Sequence, residues 1–212
     1  MDSILAVKPE VDEKLTGVSS RIDEFERYDG AHARGIAAIA DSLAAAFNLA
    51  SRDRSLLQQA ALIHDIGEMK MGREYIAAPR GLTVNERIDL QRHPVIGEQE
   101  AAKLELPRSV QLIVRWHHEW WNGGGYPDGI ENEQIPLAVR ILRVADTFSA
   151  LTAERPYRAA RSGNEAKKYM AEWAGIEFDP AVVKAFLSIE VPESTLSEPF
   201  TPDPFSSGLS IV

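Results

Sequence analysis

The sequence predicts an all-α protein, a helical bundle, on three observations. Apolar residues recur at helical spacing from about residue 30 onward, as in Ile36, Ile39, Ala40, Leu43 and Phe47. No stretch sustains the strict alternation of a half-buried strand. Prolines stand where helices would begin, at Pro94, Pro107 and Pro136.

The elements follow in order. Residues 1 to about 20 are weakly patterned and read as an entry helix or a loose arm. The 31–50 stripe, extended one turn back, lands on His32, which therefore faces inward. A second helix, 52–64, carries Leu56, Leu57, Ala60, Ala61 and Ile63. Gly67 is placed to end it, so His64 and Asp65 fall on its last turn. A loop through Pro79-Arg80-Gly81 leads to helix 84–92 and then His93. Helices 94–104 and 107–118 follow, the second ending in His117-His118. A glycine-rich loop, Asn122 to Gly129, precedes helix 136–152. On that helix Leu137, Ile141, Ala145 and Phe148 form the apolar face and Asp146 borders it. Arg140, Arg143 and Thr147 point more outward. The end, 190–212, carries Pro192, Pro199, Pro202 and Pro204 and reads as an exposed or disordered tail. The expected division is an N-terminal arm or helix (1–26), one domain (27–188) and a tail (189–212).

Composition narrows the function. A formal net charge of -9 leaves no basic face for duplex nucleic acid. There are no cysteines, which removes disulfides and thiolate zinc sites and fits a reducing cytoplasm. Neither a basic leader nor an apolar run of membrane-spanning length is present, so a soluble, unexported, cytoplasmic protein with no membrane partner is expected.

All five histidines, His32, His64, His93, His117 and His118, fall in patterned segments. With Asp65 and Asp146 they form a nitrogen and oxygen donor set suited to a catalytic metal centre. Two ions sharing a hydroxide would polarise a phosphoryl oxygen and stabilise the leaving oxygen. The adjacent pair His64-Asp65 offers imidazole to one ion and a bridging carboxylate to both. Each residue alone has a blander account: a core histidine at His32, a helix start at His93, a surface pair at 117–118, an Asp146–Arg143 ion pair. Together those accounts need seven coincidences. In the glycine-rich loop, Gly125 allows close backbone approach to a ligand, and Tyr126 brings a ring and a hydroxyl. The same residues could form a plain turn. Trp116, Trp120 and Trp121 are assigned to packing. Arg155 and Arg158, flanking Pro156-Tyr157, suit a phosphate or an ordinary surface.

The motifs in order, His64-Asp65-Ile66-Gly67, His93-Pro94, His117-His118-Glu119, Gly125-Tyr126-Pro127, Arg140-Ile141, Val144-Ala145-Asp146, Arg155-Pro156-Tyr157-Arg158 and Phe178-Asp179-Pro180, resemble the HD-GYP family of metal-dependent phosphohydrolases over about residues 27–188. The resemblance implies an HD-domain bundle with C-terminal HD-GYP helices. It implies cyclic di-GMP, or a related cyclic dinucleotide, opened to pGpG or GMP by a metal-bridging hydroxide. Iron or manganese is implied, two ions with a third left open. The ligands would be His32, His64, Asp65, His93, His117, His118 and Asp146. Glu119 would orient a ligand histidine, and Gly125, Tyr126, Pro127, Arg155 and Arg158 would line the substrate site.

Four positions depart from the family pattern. Glu68 replaces a lysine thought to touch a substrate phosphate, a charge that Lys70 would partly restore. Asn122 replaces an aspartate and retains Asx-turn capacity. Ser149 replaces the second aspartate of the Asp146 helix. Tyr28 stands where members with three ions carry a glutamate, for which Glu24 or Glu26 would have to substitute. Three readings stay open: an active phosphodiesterase, a slow or inactive module that senses the nucleotide or docks a diguanylate cyclase, and a phosphohydrolase acting on another nucleotide. A homodimer is likewise open.

Overall fold

The computed structural model describes residues 9–28, 31–154 and 159–189; of residues 9–12 only the backbone is described. The 155–158 motif with Arg155 and Arg158, the first eight residues and the 190–212 tail lie outside the described residues.

The regular structure of the described residues is helical, apart from one isolated bridge between Ala174 and Phe178. Its helices are α1 (Pro9–Phe25), α2 (His32–Ala46), α3 (Ser51–Ile63), α4 (Ile66–Met71), α5 (Val84–Leu90), α6 (His93–Lys103), α7 (Arg108–Trp116), α8 (Leu137–Thr152), α9 (Gly163–Glu172) and α10 (Pro180–Ser188), with a 3-10 turn at Asn132–Gln134. None is long and apolar enough to cross a membrane.

The stripes read from the sequence are the buried ones. Ile36, Ile39, Ala40 and Leu43 of α2 meet Leu57, Ala60, Ala61 and Ile63 of α3, and Ile141, Ala145 and Phe148 of α8 close the core. Helix starts carry their own chemistry. Thr83 and Glu86 form a reciprocal capping box on α5, as Ser162 and Glu165 do on α9. Asp179 accepts from the Ala181 amide at 2.8 Å, and Pro180 opens α10. Pro107 and Pro136 sit one residue earlier than a first-turn proline, at the N-caps of α7 and α8.

Two expectations need correction. Gly67 does not end a helix. It lies inside α4, where a Cβ would come 2.0 Å from the His93 carbonyl oxygen. It is glycine because α4 and α6 touch backbone to backbone there, and Gly72, at φ +59°, ends α4 instead. Arg140 and Arg143 do not face solvent. The chain before α10 covers that side of α8, so Arg140 pairs with Asp179 at 2.7 Å and Arg143 with Glu177. Of the two readings left open for the N-terminal residues, α1 is the helix: Leu15, Val18 and Ile22 are buried in the core, with α3 and α4 as neighbours.

Candidate metal centre

The backbone brings the donors together. His64 caps the C-terminus of α3, and Asp65 stands before the first residue of α4. His93 opens α6, held against α4 by the contact at Gly67. His117 caps α7, and Asp146 comes from the middle of α8.

Three of these histidines share one arrangement. The Nδ1 atoms of His64, His93 and His117 lie 2.9, 2.7 and 2.6 Å from the carbonyl oxygens of Ala61, Leu90 and Val114, each three residues back. A carbonyl only accepts, so Nδ1 carries a proton and Nε2 of the neutral ring carries a lone pair. The carbonyls belong to the last turns of α3, α5 and α7, whose oxygens have no partner within the helix.

Those Nε2 atoms converge on Asp65. Its Oδ1 is 3.2 Å from His93 Nε2 and 3.4 Å from His117 Nε2, and the two nitrogens are 3.2 Å apart. Its Oδ2 is 3.1 Å from His64 Nε2, which is 3.7 Å from Asp146 Oδ1. Lone pairs facing one another at such distances repel unless a cation lies among them. An ion bound at about 2.0–2.2 Å gives ligand-to-ligand edges of roughly 3.0–3.5 Å, which the four spacings around Asp65, His93, His117 and His64 match, the His64–Asp146 spacing being wider. His64 Nε2 and Asp65 Oδ1 are also buried without a hydrogen-bond partner. The donor set fits a metal.

The titration of the centre fits too. Burial opposes charge on His64, but Asp65, Asp146 and Glu26 outweigh it and hold its pKa well above the ordinary value. Burial would raise Asp65, yet His64, His117 and His93 hold it well below. Burial, with the neighbouring histidines, keeps His117 low and His118 lower still. Without an ion, the centre draws a proton onto His64.

The remaining expected residues are placed as follows. A ring nitrogen of His118 lies within 4.8 Å of the donor atoms of Asp65, His93 and His117; its Nδ1 is 2.8 Å from Arg143 Nη1. His32 falls outside that group. Its ring stacks on Tyr28 at 3.4 Å, and its Nδ1 meets Ser149 Oγ at 3.2 Å, the residue replacing the family's aspartate. Glu119 holds the loop rather than a histidine: its Oε1 accepts from the amides of Asp128 and Gly129 at 2.7 and 3.0 Å, fixing the chain after Pro127. Gly125 packs on backbone rather than on open space, since a Cβ there would meet the Trp120 nitrogen at 2.3 Å. This places the Tyr126 ring 4.9 Å from that of His118 and 6.4 Å from that of His93, next to Pro127. Asn122 makes the expected Asx-turn to the Gly124 amide at 2.9 Å.

A cavity of about 390 Å³ opens beside the centre, lined by Asp65, Glu68 and Glu26 and, across from α4, by Arg80 and Arg87. Glu68 therefore faces the site. Lys70 is exposed, and two residues along a helix are about 200° apart, so it cannot share the Glu68 face. Arg80, Arg87, Arg143 and Glu177 were not singled out as site residues from sequence, and Glu26 was named only as a substitute carboxylate for a third ion. They reach the site through contacts between distant segments, which periodicity does not report.

A helical bundle thus brings histidine and aspartate donors from five helices, α3, α4, α6, α7 and α8, to one point, an arrangement suited to a metal. Comparison gives the family: the HD domain model matches residues 8–182, and the chain belongs to the HD domain family. The chain is 32% identical over 193 residues to the 3'3'-cGAMP-specific phosphodiesterase 3 of Vibrio cholerae, covering 91% of this chain and 41% of that protein. It is 35% identical over 191 residues to the cyclic di-GMP phosphodiesterase response regulator RpfG of Xanthomonas campestris, covering 87% of this chain and 50% of that one. A crystal structure of a cyclic GMP-AMP specific phosphodiesterase from V. cholerae superposes with a TM-score of 0.67 at 20% identity, over 84% of this chain and 48% of that one. The chain thus spans half or less of the length of these relatives.

Proposed function

We propose that this chain is a metal-dependent phosphodiesterase domain, residues 27–188 completed by α1, that opens a cyclic dinucleotide such as cyclic di-GMP or 3'3'-cGAMP to a linear product. The observation that carries the reading is the division of labour at Asp65: Oδ1 faces His93 and His117, and Oδ2 faces His64 beside Asp146. One carboxylate serving two nitrogen groups is the arrangement of a bridging ligand. His93, His117 and Asp65 would hold one ion, and His64, Asp65 and Asp146 another. His118 and His32 stand at the margins. Nitrogen and oxygen donors without sulfur suit iron or manganese.

Bound there, the pair of ions supplies Lewis-acid polarisation of a phosphoryl oxygen and lowers the pKa of water. The protein supplies the rest. The carbonyl contacts at Nδ1 hold three imidazoles in orientation, and burial keeps bulk water from them. Arg87 gives the cavity a cation for the second phosphate, beside Arg80, whose guanidinium is paired with Glu86 at 2.6 Å. Tyr126 offers its ring beside His118 for a base or ribose.

One observation favours a second reading. Glu68 and Glu26 add carboxylates to the cavity, a setting that repels a phosphodiester and suits a slow, nucleotide-sensing module that docks a partner such as a diguanylate cyclase. The test is anaerobic purification, elemental analysis, and product analysis with cyclic di-GMP, 3'3'-cGAMP and pGpG. Linear product in proportion to bound metal supports the enzyme. A metal-loaded chain that binds the nucleotide and leaves it intact supports the module. A chain that takes up neither metal nor nucleotide sinks both.

A further inference from the structure

We propose that Asp128, gripped by Arg115 and Trp116, is a positioning residue for nucleotide binding: it fixes the loop that holds Tyr126 beside the metal centre. The inference rests on the phosphodiesterase reading above. It starts from a carboxylate which that reading leaves unused. Asp128 Oδ1 accepts from Arg115 Nη2 at 2.6 Å, and its Oδ2 accepts from Arg115 Nε and Trp116 Nε1, both at 2.7 Å. The guanidinium thus meets the carboxylate through two parallel bonds, the strong form of such a pair. An exposed ion pair is commonly worth little. This one is largely covered, with Arg115 23% and Asp128 33% exposed, and an indole N–H adds a third donor.

The grip joins the loop to the segment that carries two of the candidate ligands. Arg115 and Trp116 end α7, and His117 and His118 follow them directly. On the loop side, the Asp128 and Gly129 amides bond Glu119, and the Tyr126 amide donates to the His118 carbonyl at 3.2 Å. Residues 126–129 are therefore fastened to residues 115–119 twice, by their backbone and by the Asp128 side chain. No side-chain hydrogen bond anchors the Tyr126 ring among the described residues, so this stretch of backbone sets its place, 4.9 Å from the His118 ring.

Removing Arg115 leaves the metal donors in place. Its remaining nitrogen, Nη1, bonds Glu98 of α6 at 2.7 Å, but Glu98 also takes Arg108 at 2.6 Å and keeps that cation. His117 keeps the Val114 carbonyl. Asp128 is left with the indole N–H alone. The loss falls on Tyr126, and through it on the nucleotide rather than on the ions.

The test is Arg115→Met, which keeps an apolar stem and removes the fork. Metal per chain should match wild type. KM for the cyclic dinucleotide that the wild type opens, cyclic di-GMP or 3'3'-cGAMP, should rise at least about tenfold, with kcat changed far less. Tyr126→Leu should raise KM on its own, and adding Arg115→Met to it should cost little more, because both act at one place. Unchanged KM in either single variant, or a fully additive loss in the double variant, overturns the proposal. Amide exchange read by mass spectrometry needs no turnover: in Arg115→Met the peptide spanning 125–129 should exchange faster while α2 stays protected. An unaltered loop overturns the proposal as well. Should Arg115→Met fail to fold, Asp128→Asn removes the charge from the other side and must shift KM and exchange in the same directions. A wild type that neither binds nor opens a cyclic dinucleotide sinks the functional reading and this role with it. A wild type that turns the nucleotide over, with variants indifferent in KM, sinks this role alone.

Discussion

At the residue scale, Asp65 is the position at which loss should be total, because each of its oxygens serves a different group of nitrogens. Asp65→Ala should remove most bound metal and all hydrolysis while the helical far-ultraviolet signal stays. Full metal occupancy in that variant would contradict a bridging role. Glu68 is a different kind of position, facing the cavity and lying 3.9 Å from His93 Nδ1 without joining the converging donor atoms. Its charge within about 6 Å of a phosphate costs on the order of 1–3 kcal/mol at an effective dielectric near 20. Glu68→Lys should therefore lower KM for a cyclic dinucleotide by roughly ten- to a hundredfold, with metal content unchanged. Lys70→Ala, on the other side of the same helix, should leave KM where it is. A KM that responds to Lys70 and ignores Glu68 would show that the phosphate lies elsewhere.

At the element scale, the site is built by a close approach of two short helices. Gly67→Ala places a methyl 2.0 Å from the His93 carbonyl oxygen. The atom it meets is backbone, so α4 and α6 must part. Overpacking of this kind costs about 1–3 kcal/mol or more. We expect a lower melting temperature and weaker metal binding together, since His93 and Asp65 ride on the separated helices. A variant with wild-type melting and metal affinity would mean the helices yield easily. This contact also shows where the sequence was legible. Long stripes such as Ile36 to Leu43 and Ile141 to Phe148 identify faces, because burial acts on every turn. Six of the seven candidate ligands lie together and His32 stands apart, against Tyr28 and Ser149; the six were readable because histidine and aspartate in apolar surroundings need a reason. The role of Gly67 was not readable: a glycine after a helix and a glycine inside a helix–helix contact look alike in one dimension. Nor was the inward turn of Arg143, which depends on Glu177, 34 residues on. A helical wheel records polarity and not what later covers it.

At the scale of the whole molecule, α1 ties the N-terminal side to the centre. Ile22 is buried, and Asp23, one residue on, accepts from the Ala33 amide at 3.2 Å, fixing the start of α2. Ile22→Ala should cost about 2–4 kcal/mol in urea unfolding; a cost near zero would mean α1 packs loosely. Metal and proton also compete across the whole centre. His64 has its pKa raised in the metal-free chain, so below that value a proton sits where an ion would bind. Metal affinity should rise with pH up to the His64 pKa and level off above it, with proton release at neutral pH. Calorimetric titrations in two buffers of different ionisation heat measure that release, and identical apparent heats would exclude it. The same shift stabilises the metal-free fold below the unfolded histidine pKa, and this contribution disappears as pH climbs through the folded one. The carbonyl contacts of the three histidines carry a last consequence. Each imidazole bridges the C-terminal pole of a helix, α3, α5 or α7, to one point. Each pole carries about half a negative charge. The three rings conduct that polarity inward, so a bound ion ties three helix ends that otherwise repel. Adding metal at about a hundred times its Kd should then stabilise the fold by about 2.7 kcal/mol per site, and chelation should loosen those ends first, visible as faster amide exchange in the last turns of α3, α5 and α7 while α2 stays protected.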